Sequence, residues 1–120
     1  MAGPMQITER RVGDVTILEL KGRLVLTEGD TPLRNCVNGL VDQGRAKIVL
    51  DMRNVTRLDS AGIGMLVSKY LTARRKGGSV KLLHLTIRGD HLMSITKLST
   101  VFEIFESEDE AIRSFGLEPA

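Results

Sequence analysis

The chain has no tryptophan, one cysteine, three phenylalanines and one tyrosine among 120 residues. So few aromatics cannot form a stacking platform for nucleic acid bases, and aliphatic side chains must fill the core. A lone Cys36 excludes an internal disulfide. It falls among apolar positions of a predicted helix, where a free thiol packs as a small hydrophobe. One cysteine with His84 and His91 gives no ligand set for a metal. No Gly-rich Lys-Ser/Thr loop is present, so no nucleotide or other cofactor is expected. No run approaches the length of a membrane-spanning helix. The start lacks the basic segment and apolar run of a secretory signal, so the expected home is a reducing cytoplasm. A formal charge of +2 is too small to argue for a polyanion partner.

What the chain does have is enough apolar material for one core. With 42% hydrophobic and 27% charged residues it reads as a single globular domain. A chain of this size buries roughly two-thirds of its unfolded surface. Residues 1–5 read as a flexible terminus and 6–117 as the domain. Gln6 to Val12 alternates weakly and predicts an edge strand. Gly13-Asp14 makes a turn, and Val15 to Leu20 pairs back. Gly22 to Leu26 either extends that strand or bends away from it. Asp30-Thr31-Pro32 signals a helix start; Leu33, Cys36, Val37, Leu40 and Val41 follow at helical spacing, and Gly44 closes the helix.

Ala46 to Asp51 predicts a buried strand. Ser60 to Arg75 predicts a second helix with Ile63, Leu66, Val67, Tyr70 and Leu71 on one face. Arg74-Arg75-Lys76 offsets the dipole at its end, and Gly77-Gly78 stops it. Val80 to Leu85 is a further strand, and Asp90 to Leu98 a short helix. Phe102 to Phe105 is a last edge strand. Ser107 then caps a final helix that buries Ala111, Ile112 and Phe115. The pattern predicts an α/β domain with a mixed sheet of four to five strands and packed helices.

The informative stretch runs from Ile48 to Gly64, where a buried strand turns through Asp59-Ser60 into a helix. Ser60 then sits at a helix N-terminus, among unpaired backbone N–H groups that favour an anion. Ala61, Gly62 and Gly64 keep the surroundings low enough for another protein's active site to reach the hydroxyl. Spacing alone equally supports Asp59 or Ser60 as an ordinary N-cap, and the glycines as a packing requirement.

Leu58-Asp59-Ser60-Ala61-Gly62-Ile63-Gly64 resembles the signature of STAS domains, the family of sulfate-transporter tails and anti-sigma-factor antagonists. The likeness extends over Gly22-Arg23-Leu24, Leu33-Arg34 and Ile48 to Asp51, then Val80 to Leu82, Ile95 to Leu98 and Val101 to Phe105. It implies an anti-sigma-factor antagonist whose serine after the aspartate, here Ser60, is phosphorylated by a partner that is both anti-sigma factor and serine kinase. Unphosphorylated, the domain would sequester that partner and release a sigma factor; a metal-dependent serine phosphatase would reset it. In this reading the chain is not an enzyme and contacts no nucleic acid directly. Arg23, Thr27, Glu28, Asp59, Ala61, Gly62, Met65 and Lys69 are the expected partner-binding positions. Val25 stands where similar sequences often carry an aspartate. The alternative is a constitutive adaptor or scaffold subunit, in a signalling complex or transport assembly, without phosphorylation. No Gly-x-Ser-x-Gly elbow supports Ser60 as a nucleophile, and both histidines read as ordinary structural or surface residues.

Overall fold

The computed structural model describes residues 5–25, 30–85 and 98–116. Five strands form one sheet in the order β1-β2-β3-β4-β5. β1 (Gln6–Val12) and β2 (Val15–Leu24) are antiparallel across the Gly13-Asp14 turn. β3 (Lys47–Leu58), β4 (Ser79–Leu83) and β5 (Ile104–Phe105) continue in parallel from β2. Helix α1 (Asp30–Asp42) joins β2 to β3, α2 (Ser60–Arg75) joins β3 to β4, and α3 (Glu108–Gly116) follows β5. The mixed α/β fold expected from the sequence is therefore present.

Parallel strands covered on both faces read as continuous apolar runs, and Ile48-Val49-Leu50 in β3 is buried throughout. One face of the sheet carries Leu18, Leu20, Ile48, Leu50, Val80 and Leu82, sealed by Leu33, Val37 and Leu40 of α1 and Leu66 and Ala73 of α2. The other face is a smaller core of Val15, Ile17, Val49 and Leu83 beneath Ala111 and Phe115 of α3. Gly44, with φ 79°, ends α1, while Arg45 N–H donates to the Leu40 carbonyl at 2.8 Å.

Three features differ from the sequence reading. First, β3 does not stop at Asp51 but runs to Leu58, because β2 continues to Leu24 and offers its edge. The pairing slips between Glu19 and Lys21 and again between Gly22 and Arg23, so no simple alternation marks it. Second, Met5 is 5% exposed and packs into the core rather than belonging to a loose start. It lies over Gly22, whose φ is 131° and where an added Cβ would meet Met5 Cα at 3.2 Å. Third, the buried stripe of α2 is Gly62, Leu66, Lys69 and Ala73, and Leu71 is 46% exposed. Ile63, Val67 and Tyr70 are half-buried beside it. β4 begins and ends slightly earlier than expected, and β5 is confined to Ile104–Phe105. Most of the helix expected over 90–98, with His91, lies outside the described residues, as does the side chain of Asp30.

Candidate functional site

The turn from β3 into α2 is fixed on three sides. Leu58 is buried and pairs in register with Leu24, and the Asp59 N–H donates to the Leu24 carbonyl at 3.4 Å. Asp59 has an extended backbone (φ −107°, ψ −175°), and its Oδ1 accepts from the Gly62 N–H at 2.9 Å. Its own carbonyl accepts the first helical bond, from Ile63 N–H at 2.9 Å. Asp59 is therefore the N-cap, and Ser60 has no capping duty. Of the two capping assignments open from spacing, the structure selects the aspartate.

Gly62 is where α2 meets the sheet: a Cβ there would fall 2.1 Å from the Leu24 carbonyl oxygen. Its small size serves packing, not access from outside. Gly64, by contrast, faces open space. With Gly62 anchoring the helix, Ser60 is left exposed as the first residue of α2, and Ala61 is half-buried. The first turn holds no acidic residue. The rest of the site is thus a serine hydroxyl at the positive end of a 16-residue helix, where the Asp59 carboxylate already accepts the Gly62 N–H and is the one carboxylate the helix start itself brings beside Ser60.

The other expected partner-binding positions divide. Arg23 is half-buried and pairs in register with Arg57 of β3; Met65 is half-buried against the main core. Lys69 does not lie on the rim. It is 6% exposed, and its Nζ donates to Asn38 Oδ1 of α1 at 2.8 Å, tying the two helices together. The lysine stem packs inward while the ammonium finds an amide, a placement that charge alone argues against. Thr27 and Glu28 lie outside the described residues.

A second polar cluster was not legible in the sequence. On the α3 face, the Arg10 guanidinium holds Glu19 at 2.7 Å and also clasps Glu108 at the start of α3. Arg10 thereby keeps the Glu108 carboxyl below its ordinary range. Alongside, Asp51 Oδ1 accepts from the Arg53 N–H at 3.0 Å and lies 3.2 Å from His84 Nδ1. The Arg53 guanidinium lies 2.9 Å from His84 Nε2. His84 has φ 55°, a left-handed backbone that few residues with a Cβ adopt. These groups come from β1, β2, β3, the end of β4 and α3, so no local spacing announces them. Burial pushes the Cys36 thiol up, with the Glu9 charge adding to it, as suits a packing role.

A groove of about 870 Å³ lies away from this turn, along α3 and the β1–β2 turn. Val12, Val15, Phe105, Ile112 and Phe115 line it, with the Asp14–Lys47 pair beside them. Among the described residues no group of three or more His, Cys, Asp or Glu side chains could hold a metal ion. No helix among them is long and apolar enough to cross a membrane.

The chain is 30% identical over 81 residues to the anti-sigma-B factor antagonist of Bacillus subtilis, covering 68% of this chain and 73% of that one. It is 23% identical over 108 residues to the anti-sigma F factor antagonist of Paenibacillus polymyxa, covering 90% and 92%. An anti-sigma factor antagonist from Mycobacterium paratuberculosis shares the fold with a TM-score of 0.76 at 17% identity, covering 97% of this chain and 99% of that one. The Bacillus cell fate determinant SpoIIAA shares it too, at 18% identity in each form. Its unphosphorylated form gives a TM-score of 0.68 with 91% and 96% covered, and its phosphorylated form 0.67 with 92% and 97%. Residues 6–111 match the STAS domain family, spanning every described strand and the whole turn-to-helix passage around Ser60, and the chain belongs to that family.

Proposed function

We propose that this chain is an anti-sigma-factor antagonist whose grip on an anti-sigma factor is switched by phosphorylation of Ser60. The observation that carries the reading is an exposed serine at the first position of α2, whose cap is supplied by Asp59 instead. Relatives named as antagonists supply the partner class, and a similar fold exists in both phosphorylated and unphosphorylated forms.

Unmodified, the α2 start with Ser60, Ala61, Arg23 and Met65, and with Thr27 and Glu28, docks on the anti-sigma factor. A sigma factor is thereby released. The partner holds ATP and transfers its γ-phosphoryl group to Ser60 Oγ; the new O–P bond replaces the bond to ADP, and the hydroxyl proton leaves. This domain supplies the acceptor while the partner performs the chemistry. The phosphate brings about 1.5 to 2 negative charges. The helix end accepts them, but a closed interface has to desolvate or repel them, so the complex parts while the domain stays folded. A metal-dependent serine phosphatase restores binding. All of these partners are cytoplasmic in this reading.

The test is incubation with ATP and each anti-sigma-type serine kinase of the same genome. One phosphate mapping to Ser60 is expected, and none with ATP alone. Ser60→Ala keeps its affinity for the partner by calorimetric titration; Ser60→Asp loses at least about tenfold, equivalent to about 1.4 kcal/mol. Equal affinity of the two variants, or modification at another residue, overturns the switch and leaves a constitutive adaptor.

A further inference from the structure

β2 and β3 outlast their neighbours. β4 pairs with β3 only from Lys47 to Asp51, whereas β3 runs on to Leu58 with β2 as its described partner. Residues 21–25 and 52–58 of this ribbon contain Lys21, Arg23, Arg53 and Arg57 and no aspartate or glutamate. Elsewhere on the sheet, cations meet carboxylates: Arg10 with Glu19 and Glu108, Lys47 with Asp14, Lys81 with Glu103. Lys21 and Arg57 are exposed, and their side chains form no hydrogen bond or ion pair with any described residue. Arg23 and Arg57 are register partners across the parallel β2–β3 pair, which brings a third cation to this stretch. The ribbon ends two residues before Ser60, at Leu58.

We infer that this basic ribbon docks an acidic patch, rich in Asp and Glu side chains, on the partner protein. The inference rests on the antagonist reading above and adds the partner's chemistry and the way the phosphate acts. A dianion on Ser60, three residues beyond Arg57, offsets the field at that end of the ribbon and repels the acidic patch directly. Association then depends on salt, because exposed charges are screened within about 10 Å at 0.1 M ionic strength.

The experiment titrates a hexaglutamate peptide into isotope-labelled protein at low salt and follows the amide resonances. Shifts are expected to concentrate on residues 21–23 and 53–57. They should weaken at least fivefold in Lys21→Glu/Arg57→Glu, whose melting should match the wild type. Arg74→Glu/Arg75→Glu makes the same charge change at the far end of α2 and should leave the titration unaltered. Equal weakening by both double variants, or shifts centred on Arg74 to Lys76, overturns the inference in favour of net charge alone. Tighter binding of a 12-base-pair DNA duplex than of the peptide overturns it in favour of a nucleic-acid surface. Kinase assays are read separately. Phosphorylated Ser60 with an indifferent ribbon sinks this inference and leaves the antagonist reading intact. An acid-seeking ribbon on a chain that no kinase modifies sustains the acidic docking surface and sinks the switch.

Discussion

The two faces of the sheet are built differently. The face under α1 and α2 is aliphatic from Leu18 to Leu82, and its buried cation, Lys69, lies between the helices. The α3 face has a small apolar centre, a buried Lys81 and a charged cluster reaching from Arg10 to His84. The first face is held by burial, which is non-directional and scales with area. The second relies on half-exposed ion pairs, each of which contributes little and is weakened by solvent screening. Ser60 grows out of the first face, so the proposed switch sits on the more firmly packed layer. A phosphate can then change what binds without changing how the domain folds.

Breaking the aliphatic face should have the largest effect. Leu50→Ala empties a fully buried site and should cost about 2–5 kcal/mol, read in chemical denaturation as a lower midpoint of one cooperative transition. Gly62→Ala tests the joint between that face and the site. Its Cβ would collide with the Leu24 carbonyl, so about 1–3 kcal/mol of destabilisation is expected, together with displaced Asp59 and Ser60 amide resonances. Lys81→Met probes the other face. Lys81 is 1% exposed, donates to Ser114 Oγ at 2.8 Å and lies 4.2 Å from the centre of the Phe115 ring. A flexible apolar chain of similar volume should change stability by less than about 1.5 kcal/mol, which a urea melt can resolve. A larger loss would show that α3 depends on the ammonium itself.

The clasp between Arg10 and Glu108 should produce a smaller, pH-dependent effect. The hydrogen bond from Arg10 is the main cause of the lowered Glu108 value, so the folded state binds that proton less readily than the unfolded chain does. The stabilisation is complete above the ordinary value of 4.5 and is lost as pH falls through the lowered one. Thermal melts of wild type and Arg10→Met should therefore differ at pH 7 and converge as pH falls through the lowered Glu108 value. The smallest effect is expected at Ser60→Ala. Asp59 provides the cap and Ser60 is exposed, so stability should stay within about 0.5 kcal/mol of wild type. A drop of more than 1 kcal/mol, on the scale of a lost cap, would return the capping role to the serine.

The sequence by itself determined the local elements and the position of Ser60. Apolar periodicity, the residues before Leu33 and the glycines after each long helix are short-range signals, and the strand–turn–helix passage through Asp59-Ser60 is written in consecutive residues. Tertiary structure decided what depends on distant partners. Arg53 to Arg57 looks like a polar loop until β2 pairs with it, so the end of β3 could not be read locally. Lys69 and Lys81 look like surface cations until Asn38 and Ser114 arrive from other helices, each more than 30 residues away. Gly62 looks like an opening for a visitor until the Leu24 carbonyl is found against it. The charged cluster of Arg10, Asp51, His84 and Glu108 draws on both ends of the chain. Only folding brings these groups together, because ion pairing and close packing are set by proximity in space and leave no period in the sequence.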